Sequence, residues 1–109
     1  MAFDEELAGA IRSTMSRRKR SAEKKMCGGV GFLLDGNMCC GVWKEFLILR
    51  VGPSAYEEAL KQPNVVEFDI TVRAMTGWVM VEPAGIKDDV ELKSWLQQAV
   101  QFARSLPPK

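Results

Sequence analysis

KKMCGGVGFLLDGNMCCGV, residues 24–42, is the stretch whose reading decides how this chain folds. It holds all three cysteines and five of the nine glycines. Two short apolar runs, Gly29 to Leu34 and Met38 to Trp43, flank the segment Asp35-Gly36-Asn37. Strand-length runs around residues that accept positive φ predict a β-hairpin. Other readings of the glycines and cysteines fail on spacing. A phosphate loop sets its glycines between a strand and a helix N-terminus. Here Gly28-Gly29 precedes a strand, and no G-x-x-x-x-G-K-[ST] occurs. A zinc site needs four ligands, usually with cysteines paired two to four residues apart. Cys27 stands alone, Cys39 and Cys40 are adjacent, and the chain has no histidine. Adjacent strand positions point to opposite faces, so the cysteine pair reads as one buried and one outward thiol. The outward thiol or Cys27, near Lys24 and Lys25, is where thiol reactivity would reside. Glycines at 28, 29, 31 and 41 read as sites where a helix or an aromatic ring lies close on the sheet, or where a bulge forms.

Working outward, Phe46 to Val51 reads as a third strand. Upstream, residues 3 to 18 read as an amphipathic helix with Phe3, Leu7, Ala10, Ile11, Thr14 and Met15 on one face. Asp4 is its expected N-cap, Glu5 and Glu6 suit its positive end, and the arginines suit its negative end. Residues 19–25 read as a polar loop. Downstream, Gly52-Pro53 starts a short helix with Tyr56, Ala59 and Leu60 inward, and Gln62-Pro63 stops it. Val65 to Ile70 and Met75 to Val81 predict a second hairpin. Asp88 and Glu91 have capping-box spacing, opening a helix that buries Leu92, Trp95, Leu96, Ala99, Ala103 and Leu106. The expectation is α+β: helix, three-strand meander, helix, β-hairpin, helix, with the helices packed on a five-stranded antiparallel sheet. At 109 residues, with 47% hydrophobic and 27% charged residues, one domain spanning 1–109 is expected.

An ordered set of residues resembles the N-terminal domain of the TfoX family of competence regulators. Its members here are Lys24-Lys25-Met26 leading to Gly28-Gly29, then Phe32, Gly36 and Met38, then Leu49-Arg50-Val51-Gly52-Pro53. Arg73 to Val79, Trp95 and the tail from Phe102 to Lys109 continue the set. Cys27 stands where that family usually has phenylalanine, and Val72 and Ala74 replace an expected glycine and proline. The resemblance implies an α+β fold similar to secretion-chaperone-like small sheet domains, and it brings no catalytic residues. Full-length competence regulators also carry a helical C-terminal domain with no counterpart in these residues, so the resemblance does not imply a competence role.

Function reads first as a non-enzymatic interaction domain in transcriptional or competence regulation. Its partner is a protein or a second copy of the chain; Trp43 and Trp78 read either as its anchors or equally as core residues. The alternative is direct nucleic-acid binding. Net charge is only +1, yet seven basic residues fall between Arg12 and Lys25 against one acid, Glu23. Within that stretch Arg17, Arg18, Lys19, Arg20, Lys24 and Lys25 are the candidate contacts, with Arg50 and Arg73 beside the sheet. No aromatic residue interleaves the run and no nucleic-acid-binding motif accompanies it. An enzyme would have to use Ser13, Ser16, Cys27 or Tyr56 without a histidine base, and Asp88-Asp89 is explained by helix capping. No catalytic, metal or cofactor site is expected. The charged first residues do not form a signal peptide, no run is long enough for a membrane span, and an odd cysteine count suits the cytoplasm.

Overall fold

Asp35 and Gly36 both have positive φ, +53° and +81°, and they close the expected hairpin as its two-residue turn. In the computed structural model, which describes residues 3–18, 20–26, 28–68 and 76–109, this hairpin is the middle of a long meander. The elements run α1 (Glu5–Met15), β1 (Ser21–Met26), β2 (Gly29–Leu34), β3 (Asn37–Trp43), β4 (Phe46–Arg50), α2 (Tyr56–Leu60), β5 (Val65–Glu67) and β6 (Trp78–Val81). A 3-10 turn over Pro83–Gly85 leads to α3 (Asp89–Ser105). The strands form one antiparallel sheet in the order β1-β2-β3-β4-β6-β5.

The sheet therefore has six strands where five were expected. The additional one is β1, in a stretch that reads as a polar loop. Its sequence, SAEKKM, has no apolar alternation because it is an edge strand, held by pairing from Ser21↔Leu34 through Met26↔Gly29. Polar and charged side chains on an edge also discourage pairing with another chain. The first helix is shorter than expected and stops at Met15, so the arginine run lies beyond it. The second begins at Tyr56, after a turn over Pro53 to Ala55. The expected strand residues Asp69, Ile70 and Met75, and the turn between them, fall outside the described residues.

Both long helices start as their sequences dictate. The Asp4 carboxylate accepts from the backbone N–H groups of Glu6 and Leu7 at 3.0 and 3.1 Å. The Asp88 carboxylate accepts from the Glu91 N–H at 2.9 Å. Asp88→Ala is expected to cost about 1 kcal/mol, read as a lower thermal midpoint, because one helix-end donor then lacks an acceptor.

One cluster forms the core. It joins Leu7, Ile11 and Met15 of α1, Ala59 of α2, and Leu92, Leu96, Ala99, Val100 and Ala103 of α3 to one face of the sheet. That face presents Val30, Phe32, Leu34, Cys40, Val42, Leu47, Leu49, Val65, Val79 and Val81. Leu106 lies past the end of α3 and is half-buried. Chain beyond α3 ties back to the hairpin: Asn37 Nδ2 donates to the Pro107 carbonyl at 2.9 Å, and the Lys109 N–H donates to the Asp35 carbonyl at 2.8 Å.

The glycines of the opening stretch act between strands. A Cβ on Gly41 would lie 2.5 Å from the Val30 carbonyl oxygen, and one on Gly29 would overlap the carbonyl of Val42. β2 and β3 thus approach more closely than side-chain-bearing residues permit at these two positions.

Candidate interaction surface

Strand alternation sends every second residue away from the helices. In β4, Leu47 and Leu49 enter the core while Phe46, Ile48 and Arg50 face the other way, half-buried. Register carries this division across the sheet. Ile48 lies between Gly41 and Met80, Phe46 pairs with Trp43, and Arg50 pairs with Trp78. Val66 of β5 extends the row beyond Met80 and is exposed. Leu33 and Met38 face each other across β2 and β3. None of these side chains belongs to the core cluster or is packed against it. The buried residues of all three helices join the opposite face, so among the described residues no helix packs across this one, although Phe102 of α3 reaches Arg50 at its edge.

Aromatic rings and cations are interleaved here. Trp43 and Phe46 stack with centroids 6.1 Å apart and planes 18° from parallel. Lys44 Nζ sits 4.6 Å from the Trp43 ring centroid. Phe68 lies 5.8 Å from Trp78. The Arg50 guanidinium is 5.4 Å from the Trp78 ring and 5.5 Å from Phe102 of α3, and its Nη1 donates to the Met38 carbonyl at 3.4 Å. Arg50 is therefore held in place by aromatic faces and a backbone acceptor, not swinging in solvent.

The described members of the basic run do not assemble into one patch. Arg12 is bound through two hydrogen bonds to Glu23, at 2.6 and 2.7 Å. That guanidinium holds the Glu23 carboxyl below its ordinary range, so the ion pair survives to lower pH than an unpaired glutamate would allow. Arg18 is half-buried and its Nη2 donates to Gln97 Oε1 at 3.4 Å. Arg20, with φ of +60°, lies 3.7 Å from Asp35. Arg17, Lys24 and Lys25 are exposed, but Lys24 and Lys25 alternate along β1 and project to opposite faces. Lys19 and Arg73 lie outside the described residues, as does Cys27.

The cysteine pair departs from the alternation expected of it. Phe32 pairs with Cys40 and Leu33 with Met38, so Cys39 is an extra residue in β3. This bulge turns both cysteines to the core side, where they are 0% and 1% exposed, and neither is the outward thiol that simple alternation requires. Tyr56 donates its hydroxyl to Glu67 Oε2 at 3.2 Å. Desolvation, then the bond to Glu67, pushes the phenol above its ordinary range, which favours the protonated form over a nucleophilic phenolate. Ser16 Oγ donates to the Ser13 carbonyl at 3.3 Å. An open cleft of about 530 Å³ between α2 and α3 is lined in part by Glu58, Gln62, Asn64, Glu91 and Trp95. Among the described residues no three histidine, cysteine or acidic side chains come together as a metal site, and no helix is long and apolar enough to cross a membrane.

The model of the TfoX N-terminal domain matches residues 13–103, nearly the whole chain. The chain belongs to the TfoX N-terminal domain family. No curated protein and no solved structure matches this TfoX N-terminal domain. Its match begins inside α1 and ends inside α3, so the sheet and its helix-free face lie wholly within the family's extent.

Trp43 and Trp78 are sequence-level candidates that the sheet brings to one face, together with Arg50. Phe46, Lys44 and Ile48 complete the surface and were missed. The signal for two of them was present, since the alternation in FLILR separates Phe46 and Ile48 from Leu47 and Leu49.

Proposed function

We propose that this TfoX N-terminal domain is a non-catalytic regulatory module that docks a protein partner on its helix-free sheet face, with transcriptional regulation as the setting. The observation carrying this reading is the half-buried outward row of Trp43, Phe46, Ile48 and Trp78, backed by Lys44 and Arg50 and separate from the core cluster. Aromatic residues and arginine are the groups that dominate protein interfaces. Contiguous apolar surface on a folded domain marks an interaction site more often than chance exposure. A second copy of the chain is one such partner. The cytoplasm is its proposed compartment, in keeping with Cys39 and Cys40 as free thiols.

Nucleic-acid binding through residues 17–25 draws less support, because Arg18 and Arg20 are engaged within the fold and Lys24 and Lys25 diverge.

Ile48→Lys places a charge at the centre of the face at a stability cost of about 1 kcal/mol. The variant is expected to fold, by circular dichroism, while losing whatever association the wild-type chain shows in sedimentation and in affinity capture from cell extract. A wild-type chain that sediments as a monomer and retains no protein that Ile48→Lys fails to retain contradicts the proposal.

A further inference from the structure

We propose that Arg50 is the residue by which the helix-free face reads its partner: it takes a side-chain carboxylate, and the docked segment is an acidic, apolar stretch of protein. The inference rests on the docking reading above and adds the chemistry of what docks.

Arg50 combines a fixed position with an unanswered charge. Its guanidinium lies within cation–π range of Trp78 and Phe102, side chains from two different elements. Nη1 reaches one acceptor, the Met38 carbonyl, at 3.4 Å. Arg12 and Arg20 lie against Glu23 and Asp35, whereas Arg50 has no carboxylate within 4.0 Å among the described residues. Its remaining N–H groups reach solvent. Among the described residues the buried side-chain nitrogen without a partner is Arg18 Nε, and none belongs to Arg50. A guanidinium holds its five N–H donors in a rigid planar fork that matches a carboxylate through two parallel hydrogen bonds. Aromatic contacts already restrain this fork, so less freedom is lost when the carboxylate arrives.

The rest of the face agrees in sign. Cross-strand register runs Lys24↔Gly31↔Gly41↔Ile48, which puts Lys24 on the side of Ile48. Lys44 stands over the Trp43 ring between β3 and β4. The described strands place no acid on this side, since Glu23 and Glu67 turn to the other, toward Arg12 of α1 and Tyr56 of α2. Glu82, which alternation turns to this side, follows β6 at the end away from Trp78 and Arg50, about 13 Å along an extended chain. Phe46 and Ile48 separate Lys44 from Arg50 along β4. The cations therefore do not form the close-set stripe that a phosphate backbone calls for. Single cations among aromatic and aliphatic side chains suit a protein segment in which carboxylates alternate with apolar residues.

The test titrates the full chain at low salt with two blocked octapeptides, one alternating leucine with glutamate and the other leucine with glutamine. A short oligothymidylate is the third probe. The readout is the Arg50 Nε–Hε resonance together with the backbone amides of Ile48 and Trp78. The glutamate peptide is expected to move all three signals and to bind about tenfold tighter than the glutamine peptide. That preference is expected to shrink as salt is raised. Arg50→Gln is expected to bring the two peptides to equal affinity, and Arg50→Lys to keep part of the difference. Equal affinity of the wild-type chain for the two peptides overturns the carboxylate role and leaves the docking face standing, since Ile48→Lys tests that face separately. An Arg50 resonance that neither peptide moves, or that the oligothymidylate moves more, overturns the inference as well. So does an Arg50→Gln chain that keeps the full preference for glutamate.

Discussion

Gly52→Ala is expected to destabilise the fold by about 3 kcal/mol and to lower the thermal midpoint by about 15 °C. Two costs combine at this position. Gly52 has φ of +90°, where a residue with a Cβ is strained by about 1–2 kcal/mol. The added methyl would also lie 2.5 Å from Cδ1 of Phe102, well inside contact distance. A retreat of the Phe102 ring would disturb its contact with the Arg50 guanidinium, 5.5 Å away. Overfilling such a contact typically costs about 1–3 kcal/mol. Gly9 is the internal control. It sits in α1 with nothing within 4 Å of its would-be Cβ, so Gly9→Ala is expected to stabilise by up to about 1 kcal/mol through helix propensity. Thermal melts of the two variants should move in opposite directions. A Gly52→Ala midpoint close to that of wild type would mean that the chain after β4 does not press on α3 as described.

Phe32→Ala should have the larger effect, a loss of about 3–5 kcal/mol. Small domains hold only about 5–15 kcal/mol in total, so the variant is expected to be substantially unfolded at moderate urea concentrations where wild type is intact. Phe32 is the largest fully buried side chain among the described residues and lies on the core face of β2, opposite Cys40. Truncation there removes apolar burial and leaves a void that the surrounding sheet and helices can collapse into only in part. Phe46→Ala, on the other face and half-buried, is expected to cost less than half as much, because its ring touches Trp43 and solvent but not the core cluster. Urea midpoints for the two variants give the comparison, and equal losses would show that the sheet does not have one filled and one open side.

Much of the fold is written in local signals. The turn at Asp35 and Gly36, the caps at Asp4 and Asp88, and the apolar stripes of α1 and α3 each depend on a few neighbouring residues, and each was legible. β1 was not, because an edge strand is stabilised by the backbone of its neighbour and carries no apolar alternation of its own. The bulge at Cys39 was missed for a related reason: it is a register shift between two strands, and no residue type in MCCGV announces it. Of the surface, Trp43, Trp78 and Arg50 were identifiable singly, but their placement on one face follows from the β3-β4-β6 pairing, which brings together residues far apart in sequence. The basic run misled in the opposite sense. Seven cations close in sequence suggest one patch, yet Arg12, Arg20 and Arg18 are drawn to Glu23, Asp35 and Gln97, and Lys24 and Lys25 point to opposite faces.

Site-specific photo-crosslinking tests the central claim most directly. A photoreactive residue is placed at Ile48, in the middle of the helix-free face, or at Lys93, on the exposed side of α3. After irradiation in cells, position 48 is expected to yield a discrete crosslinked protein, or a crosslinked pair of this chain, that position 93 does not give. No adduct at position 48, or the same adducts from both positions, would contradict the assignment of that face as the working surface of the domain.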